Sequence, residues 1–164
     1  ALARALLAAG LVGIFITSAW SFAAEVGGCR AEGGSAAAMA AAALVTLADG
    51  TLEQALAAAA MALQSMLGLI CDPVANRVEV PCLGKNVMAA TNALACANMA
   101  LAGFAEVIPF DEVVAAARRV SEQMPRELRC TALGGLAITP TSLAIEARLA
   151  QQQPSGCGGS CSCG

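Results

Sequence analysis

Eight cysteines and no histidine among 164 residues narrow the chemistry open to this chain. Histidine is the commonest general base and the commonest zinc ligand, so any metal chemistry here rests on thiolates. The cysteines stand at 29, 71, 82, 96, 130, 157, 161 and 163. Three of them fall where loops are expected to meet helices: Cys29 in the glycine-rich stretch 27–34, Cys71 after a helix end, and Cys82 just before a helix start. A thiolate or an anionic metal cluster at such a place is stabilised by unpaired backbone N–H groups and by the positive end of a helix. Each is worth roughly 0.3 to 1 kcal/mol when exposed and more in a dry site. Glycines allow the close backbone approach this needs. Three thiolates on an iron–sulfur cubane leave one iron with an open coordination position, the mark of a catalytic rather than a structural metal.

Other roles for the cysteines compete. An even count suits a disulfide framework, but small secreted disulfide domains are rarely this alanine-rich and helical. Cys96 lies among alanines inside a helix and is expected to be a small core residue. Cys130 has no ligand spacing with the others and receives no role.

The elements that must position these residues are helical. The chain is 58% hydrophobic, much of it alanine, and only 3% aromatic, a profile of closely packed helices rather than sheets. The expected fold is all-α: one compact helical domain over residues 1–150, with glycine-rich and proline-containing loops forming the cysteine site. Residues 151–164 make a Cys/Gly/Ser tail with almost nothing to bury. A formal charge of -3 with nine Lys and Arg offers no basic patch for phosphate, which excludes nucleic acid as a partner.

The first helix is expected over 2–19, apolar on all sides and therefore internal. Arg4 is followed by twenty uncharged residues, a run that mimics a signal peptide or a membrane span. Gly13, Thr17, Ser18 and Ser21 interrupt it, and the chain passes directly into the Cys29 motif. A buried core helix in a chain that starts inside a domain is the simpler expectation, with no membrane and a cytoplasmic location.

Ser35 is expected to cap a helix over 35–48, ended by Asp49-Gly50. Thr51 and Gln54 form a capping box for a third helix, whose Leu52, Leu56, Ala59, Leu63 and Met66 recur at helical spacing and should face the core. The stretch 71–82 holds Pro73 and Pro81 and reads as an ordered loop with a short extended piece at 77–80. Helices follow over 85–102 and 111–124, the latter stopped by Pro125, and a short one ends near Ala150.

Several blocks together carry a resemblance. Glu25-Val26-Gly27-Gly28-Cys29-Arg30-Ala31-Glu32, Ser35 to Ala43, Cys71-Asp72-Pro73-Val74-Ala75, Val80-Pro81-Cys82 and Leu133-Gly134-Gly135-Leu136-Ala137 resemble, in order and spacing, the signature blocks of the iron–sulfur-dependent L-serine dehydratase alpha chain, in its C-terminal part. The resemblance implies a [4Fe–4S] cluster held by Cys29, Cys71 and Cys82, a free iron that binds L-serine, and elimination of water to give pyruvate and ammonia without pyridoxal phosphate. It also implies an oligomer and a beta chain or beta domain that helps form the site. A preceding alpha segment belongs to that family's domain, so this chain alone is expected to be inactive.

Candidate catalytic residues beside the cysteines are Glu25, Glu32, Lys85 and Asn86. Each glutamate can equally cap neighbouring N–H groups, and Asn86, like Asn92 and Asn98, can simply satisfy local partners. Lys85 and Asn92, seven apart, share a helix face. In some family members a terminal cysteine occupies the fourth iron, which makes Cys157, Cys161 or Cys163 candidate fourth ligands, against the plainer reading of an unstructured extension. Ala23 and Thr17 stand where the family has glycine and a basic residue, which keeps a divergent, defective copy in view. A non-catalytic or electron-transfer iron–sulfur protein is the other alternative, although such proteins usually draw four ligands from the fold.

Overall fold

The computed structural model describes residues 1–152 and contains seven α-helices: α1 Leu2–Ala19, α2 Ala24–Gly27, α3 Ser35–Leu47, α4 Leu52–Gln64, α5 Cys82–Leu101, α6 Phe110–Gln123 and α7 Pro140–Gln152. A π-helical turn, Arg30–Gly34, and two 3-10 turns, Arg126–Leu128 and Gly135–Ile138, complete the regular structure. Among the described residues there is no strand, only two isolated bridges, Cys71 with Arg129 and Val74 with Arg77. The all-α expectation holds. The tail cysteines lie outside the described residues.

The core is built mainly of alanine. Ala37, Ala38, Ala41 and Ala42 of α3 pack against Ala57, Ala58, Ala59, Ala60 and Ala62 of α4 and against Ala89, Ala93, Ala97 and Ala100 of α5. Small side chains let the helix axes approach closely, and alanine is also the best intrinsic helix former. Larger residues fill the ends of this seam: Ile16, Val45, Leu63, Met66, Phe110 and Val114. Thr51 closes the expected capping box, accepting from the Gln54 N–H at 3.2 Å while the Gln54 side chain accepts from the Thr51 N–H at 2.9 Å. Cys96 is buried in the core, as expected, and contacts Asn92 at 3.5 Å.

Four expectations need correction. Helix α1 is not internal: Ala5, Val12, Gly13 and Ile16 form its buried stripe, while Leu2, Leu6, Leu7, Leu11 and Ile14 are exposed. An unbroken apolar run says nothing about which face is covered, and α1 docks on α3 by one side only, with Gly13 against Met39. By length and composition α1 could cross a membrane. Ser35 is not a cap, because α3 runs straight out of the π turn and leaves no free N–H to accept; its hydroxyl is fully buried without a partner. Leu52 and Leu56 are exposed, because the alanines of α4 occupy the core face instead. Helix α5 starts at Cys82 itself rather than near Lys85, directly after the turns at 77–80, where at most a short extended piece was expected.

An alanine seam is intolerant of added volume. Ala59→Leu is expected to destabilise the fold by about 1–3 kcal/mol and to lower Tm by roughly 2–4 °C per kcal/mol, whereas Leu52→Ser on the exposed side should stay within about 0.5 kcal/mol. Thermal melts of the two variants check this, and equal effects would contradict the assignment of the core face.

Candidate functional site

Three segments distant in sequence meet at the cysteines. The first is the turn between α2 and α3. Gly28 adopts φ +68 there, and an added Cβ would sit 2.8 Å from the Met124 methyl and 2.9 Å from the Leu69 carbonyl oxygen. Only glycine fits both the backbone conformation and the space. Cys29 follows and leads into the π turn, an irregularity that often marks functional positions because it redirects side chains within a helix. The expected glycine loop is therefore helical on both sides of a single turn.

Cys71 brings in the second segment. Its N–H donates to the Leu128 carbonyl at 2.9 Å, and its carbonyl accepts from the Cys130 N–H at 3.0 Å, so the backbone at 128–130 clamps it. Cys29 and Cys71 are both buried and pack together with Ala24. Burial pushes the Cys29 thiol above its ordinary pKa, and the pull of Lys85 and of Cys71 does not overcome it. Burial also pushes Cys71 up, with Cys29 and Cys130 adding to the shift. Both thiols are therefore neutral unless a cation offsets the cost of ionisation.

Lys85, on the first turn of α5, supplies the local positive charge. Its ammonium donates to Asp72 Oδ1 at 2.6 Å and to the Ile70 carbonyl at 2.8 Å, and lies 3.9 Å from Cys29 Sγ. Burial alone lowers its pKa, but the Asp72 hydrogen bond and the neighbouring Cys29 raise it overall, so the ammonium stays charged. Asp72 is itself buried, and its Oδ2 accepts from the Leu136 N–H at 2.9 Å. Gly135, at φ +61, makes this approach possible: a Cβ there would lie 2.6 Å from the Asp72 carboxylate. The carboxylate thus ties Lys85 to the Gly134-Gly135 turn.

Cys82, the first residue of α5, is half-buried, and its charge bears on both Cys29 and Lys85. Among the described residues no group of three or more His, Cys, Asp or Glu is arranged around a single metal ion. Of the expected ligands, Cys29 and Cys71 are in direct contact, and Cys82 stands within electrostatic reach. The donor set suits an anionic iron–sulfur cluster better than a lone ion. Lys85 is the cation beside the two thiols, and the buried Arg30, next to Cys29 in the chain, donates by Nε to the Leu69 carbonyl at 3.3 Å while its Nη1 has no partner.

The other candidates fare differently. Glu25 and Glu32 are both exposed, although partial burial of the carboxyl and the neighbouring Glu25 raise the Glu32 pKa. Asn86 is exposed. Asn92 donates to the Ala62 carbonyl at 2.8 Å, a structural role, and Asn98 is exposed. Candidate fourth ligands Cys157, Cys161 and Cys163 fall outside the described residues. Sequence reasoning passed over Asp72, Arg30 and Cys130. Asp72 and Arg30 each adjoin a candidate ligand, so a search for counter-charges beside the cysteines finds them; the contact of Cys130 with Cys71 has no such signal. A cavity of about 750 Å³ lies elsewhere, between α1, α3, α4 and the start of α6, and no cysteine lines it.

Comparison with known proteins identifies the chain's family. The family model described as "Serine dehydratase alpha chain" matches residues 1–137. A protein of Latilactobacillus sakei, "Probable L-serine dehydratase, alpha chain", is 48% identical over 152 residues, 93% of this chain and 73% of that one. A protein of the same description from Bacillus subtilis is 49% identical over 89% of this chain and 49% of its own length. The "L-serine dehydratase" of Mycobacterium tuberculosis is 40% identical over 82% of this chain and 30% of its length. The chain thus spans nearly three quarters of one relative and half or less of the others. With its cysteine, Asp72 and double-glycine blocks all inside the matched region or at its edge, it belongs to the serine dehydratase alpha chain family.

Proposed function

We propose that this chain is the C-terminal part of an L-serine dehydratase alpha chain and that Cys29, Cys71 and Cys82 hold a [4Fe–4S] cluster. With a beta chain or domain, and within an oligomer, the assembled cytoplasmic enzyme eliminates water from L-serine. The observation that carries this reading is the contact between the buried Cys29 and Cys71 thiols, backed by the Lys85–Asp72 pair. The relatives' printed names support the substrate.

When bound, the cluster supplies a Lewis-acidic iron for the serine hydroxyl and an environment that excludes water. The residues of this chain do the rest of the site's work described here. Lys85 offsets the negative charge that ionised Cys29 and Cys82 bring, and Asp72 fixes the ammonium. Arg30 Nη1 offers a further donor. Net loss of water gives aminoacrylate, which takes up water and releases ammonia to become pyruvate, so the reaction consumes no oxidant. No histidine is available here as the base for the α-proton.

Anaerobic loading with iron and sulfide is the direct test. Cys29→Ser, Cys71→Ser and Cys82→Ser should each lose most of the bound iron and sulfide, while Cys96→Ala should keep both, since Cys96 is a core residue. Retention by all three serine variants would exclude these ligands. Loaded protein combined with the preceding alpha segment and a beta chain should release pyruvate from L-serine and lose activity in air; activity that survives iron removal would contradict the mechanism.

The thiol pKa shifts also set a pH dependence for the metal-free protein. Cys29 and Cys71 hold their protons in the folded state beyond the ordinary value of 9.0. Their contribution to stability is therefore complete below that value and declines as pH rises through it. Urea midpoints should hold steady between about pH 7 and about pH 8 and fall as the pH is raised above about 9, less steeply in Cys29→Ser. A midpoint that rises with pH would show that the thiols are not buried as described.

A further inference from the structure

The thiol that the ligand set leaves over is Cys130. It packs against the Cys29 and Cys71 pair, and its backbone N–H donates to the Cys71 carbonyl at 3.0 Å. The backbone is arranged for this contact. Cys71 pairs with Arg129 across an isolated parallel bridge, and along extended backbone the next side chain would point to the opposite face. Cys130 instead adopts φ +62, followed by Ala132 at φ +56, a conformation uncommon for residues with a Cβ. With that turn, Cys130 packs against the buried cluster that holds Cys71. Strain of this kind persists where the surroundings impose it.

Access separates the three thiols. Cys29 and Cys71 are 4% and 3% exposed, whereas Cys130 is half-buried. A small oxidant reaches Cys130 first.

We propose that Cys130 and Cys71 form a reversible, peroxide-sensitive dithiol pair that withdraws Cys71 from the ligand set when the site is empty. In the first step the Cys130 thiol is oxidised by a peroxide to the sulfenic acid, with loss of one water from hydrogen peroxide. In the second step the Cys71 sulfur attacks the Cys130 sulfur, the S–O bond breaks, and the oxygen leaves as a second water as the disulfide forms. Two thiols have then lost two electrons and two protons to one peroxide. A dithiol reductant reverses the process. The disulfide stands independently of the cluster; its consequence for iron uptake rests on the proposed function.

Trypsin leaves Cys29, Cys71, Cys82, Cys96 and Cys130 on five different peptides, because Arg30, Arg77, Lys85 and Arg129 fall between them. The full, metal-free, reduced chain is treated with equimolar hydrogen peroxide, blocked with a maleimide and mapped without reduction. The expected main product joins the peptide 31–77 to the peptide 130–148, and dithiothreitol removes it. Iron and sulfide uptake should fall several-fold in the oxidised chain and return on reduction, and Cys130→Ser should resist the loss. A main product joining Cys71 to Cys29 or Cys82, no disulfide at Cys71, or equal sensitivity of Cys130→Ser would overturn the proposal. The peptide map reads the pair whether or not the chain takes up iron.

Discussion

One carboxylate holds the site together. Asp72 uses Oδ1 to bind the Lys85 ammonium at the start of α5 and Oδ2 to accept the Leu136 N–H beyond the double glycine. Three segments that share no local sequence contact are thereby fixed around Cys71, its neighbour in the chain. A buried carboxylate is tolerated only when both oxygens are satisfied, and breaking such a pair leaves an uncompensated charge worth several kcal/mol, about 3–5 in comparable cases. The pair's value here is positional: it sets an ammonium 3.9 Å from Cys29 Sγ without consuming a thiol.

The alanine core serves the same end from below. Helices α3, α4 and α5 approach closely because their facing side chains are small, and that approach brings the π turn at the start of α3 alongside the first turns of α5. Gly34, with Leu63 3.0 Å from where its Cβ would lie, keeps the π turn tight against α4. Cys29 precedes that turn and Cys82 opens α5, so the helix packing decides whether these sulfurs can act together. A cysteine site assembled this way draws rigidity from the helix seam rather than from its own loops.

Legibility in the sequence followed the range of the physics. The capping box at Thr51, the stop at Asp49-Gly50 and the burial of Cys96 are local events and were readable. The burial of α1 was not, because an all-apolar helix carries no face preference and coverage depends on what packs against it. The glycine stretch at 27–34 was misread as loop: glycine serves flexible chain and close helix packing alike, and Gly27, with Trp20 2.5 Å from where its Cβ would lie, is the second kind. Cys29, Cys71 and Cys82 were identified through resemblance, which spacing alone does not replace. Asp72 and Cys130 matter through contacts that span 64 and 59 residues of sequence, beyond the reach of any local pattern.

The central claim is that three thiolates of this chain leave one iron of a cubane open to substrate. Mössbauer spectroscopy of chain loaded anaerobically with isotopically enriched iron and assembled with the preceding alpha segment and a beta chain reads that asymmetry directly. One iron site should be distinct from the other three, and L-serine should shift that site alone. Four equivalent irons, or a spectrum indifferent to L-serine, would contradict it.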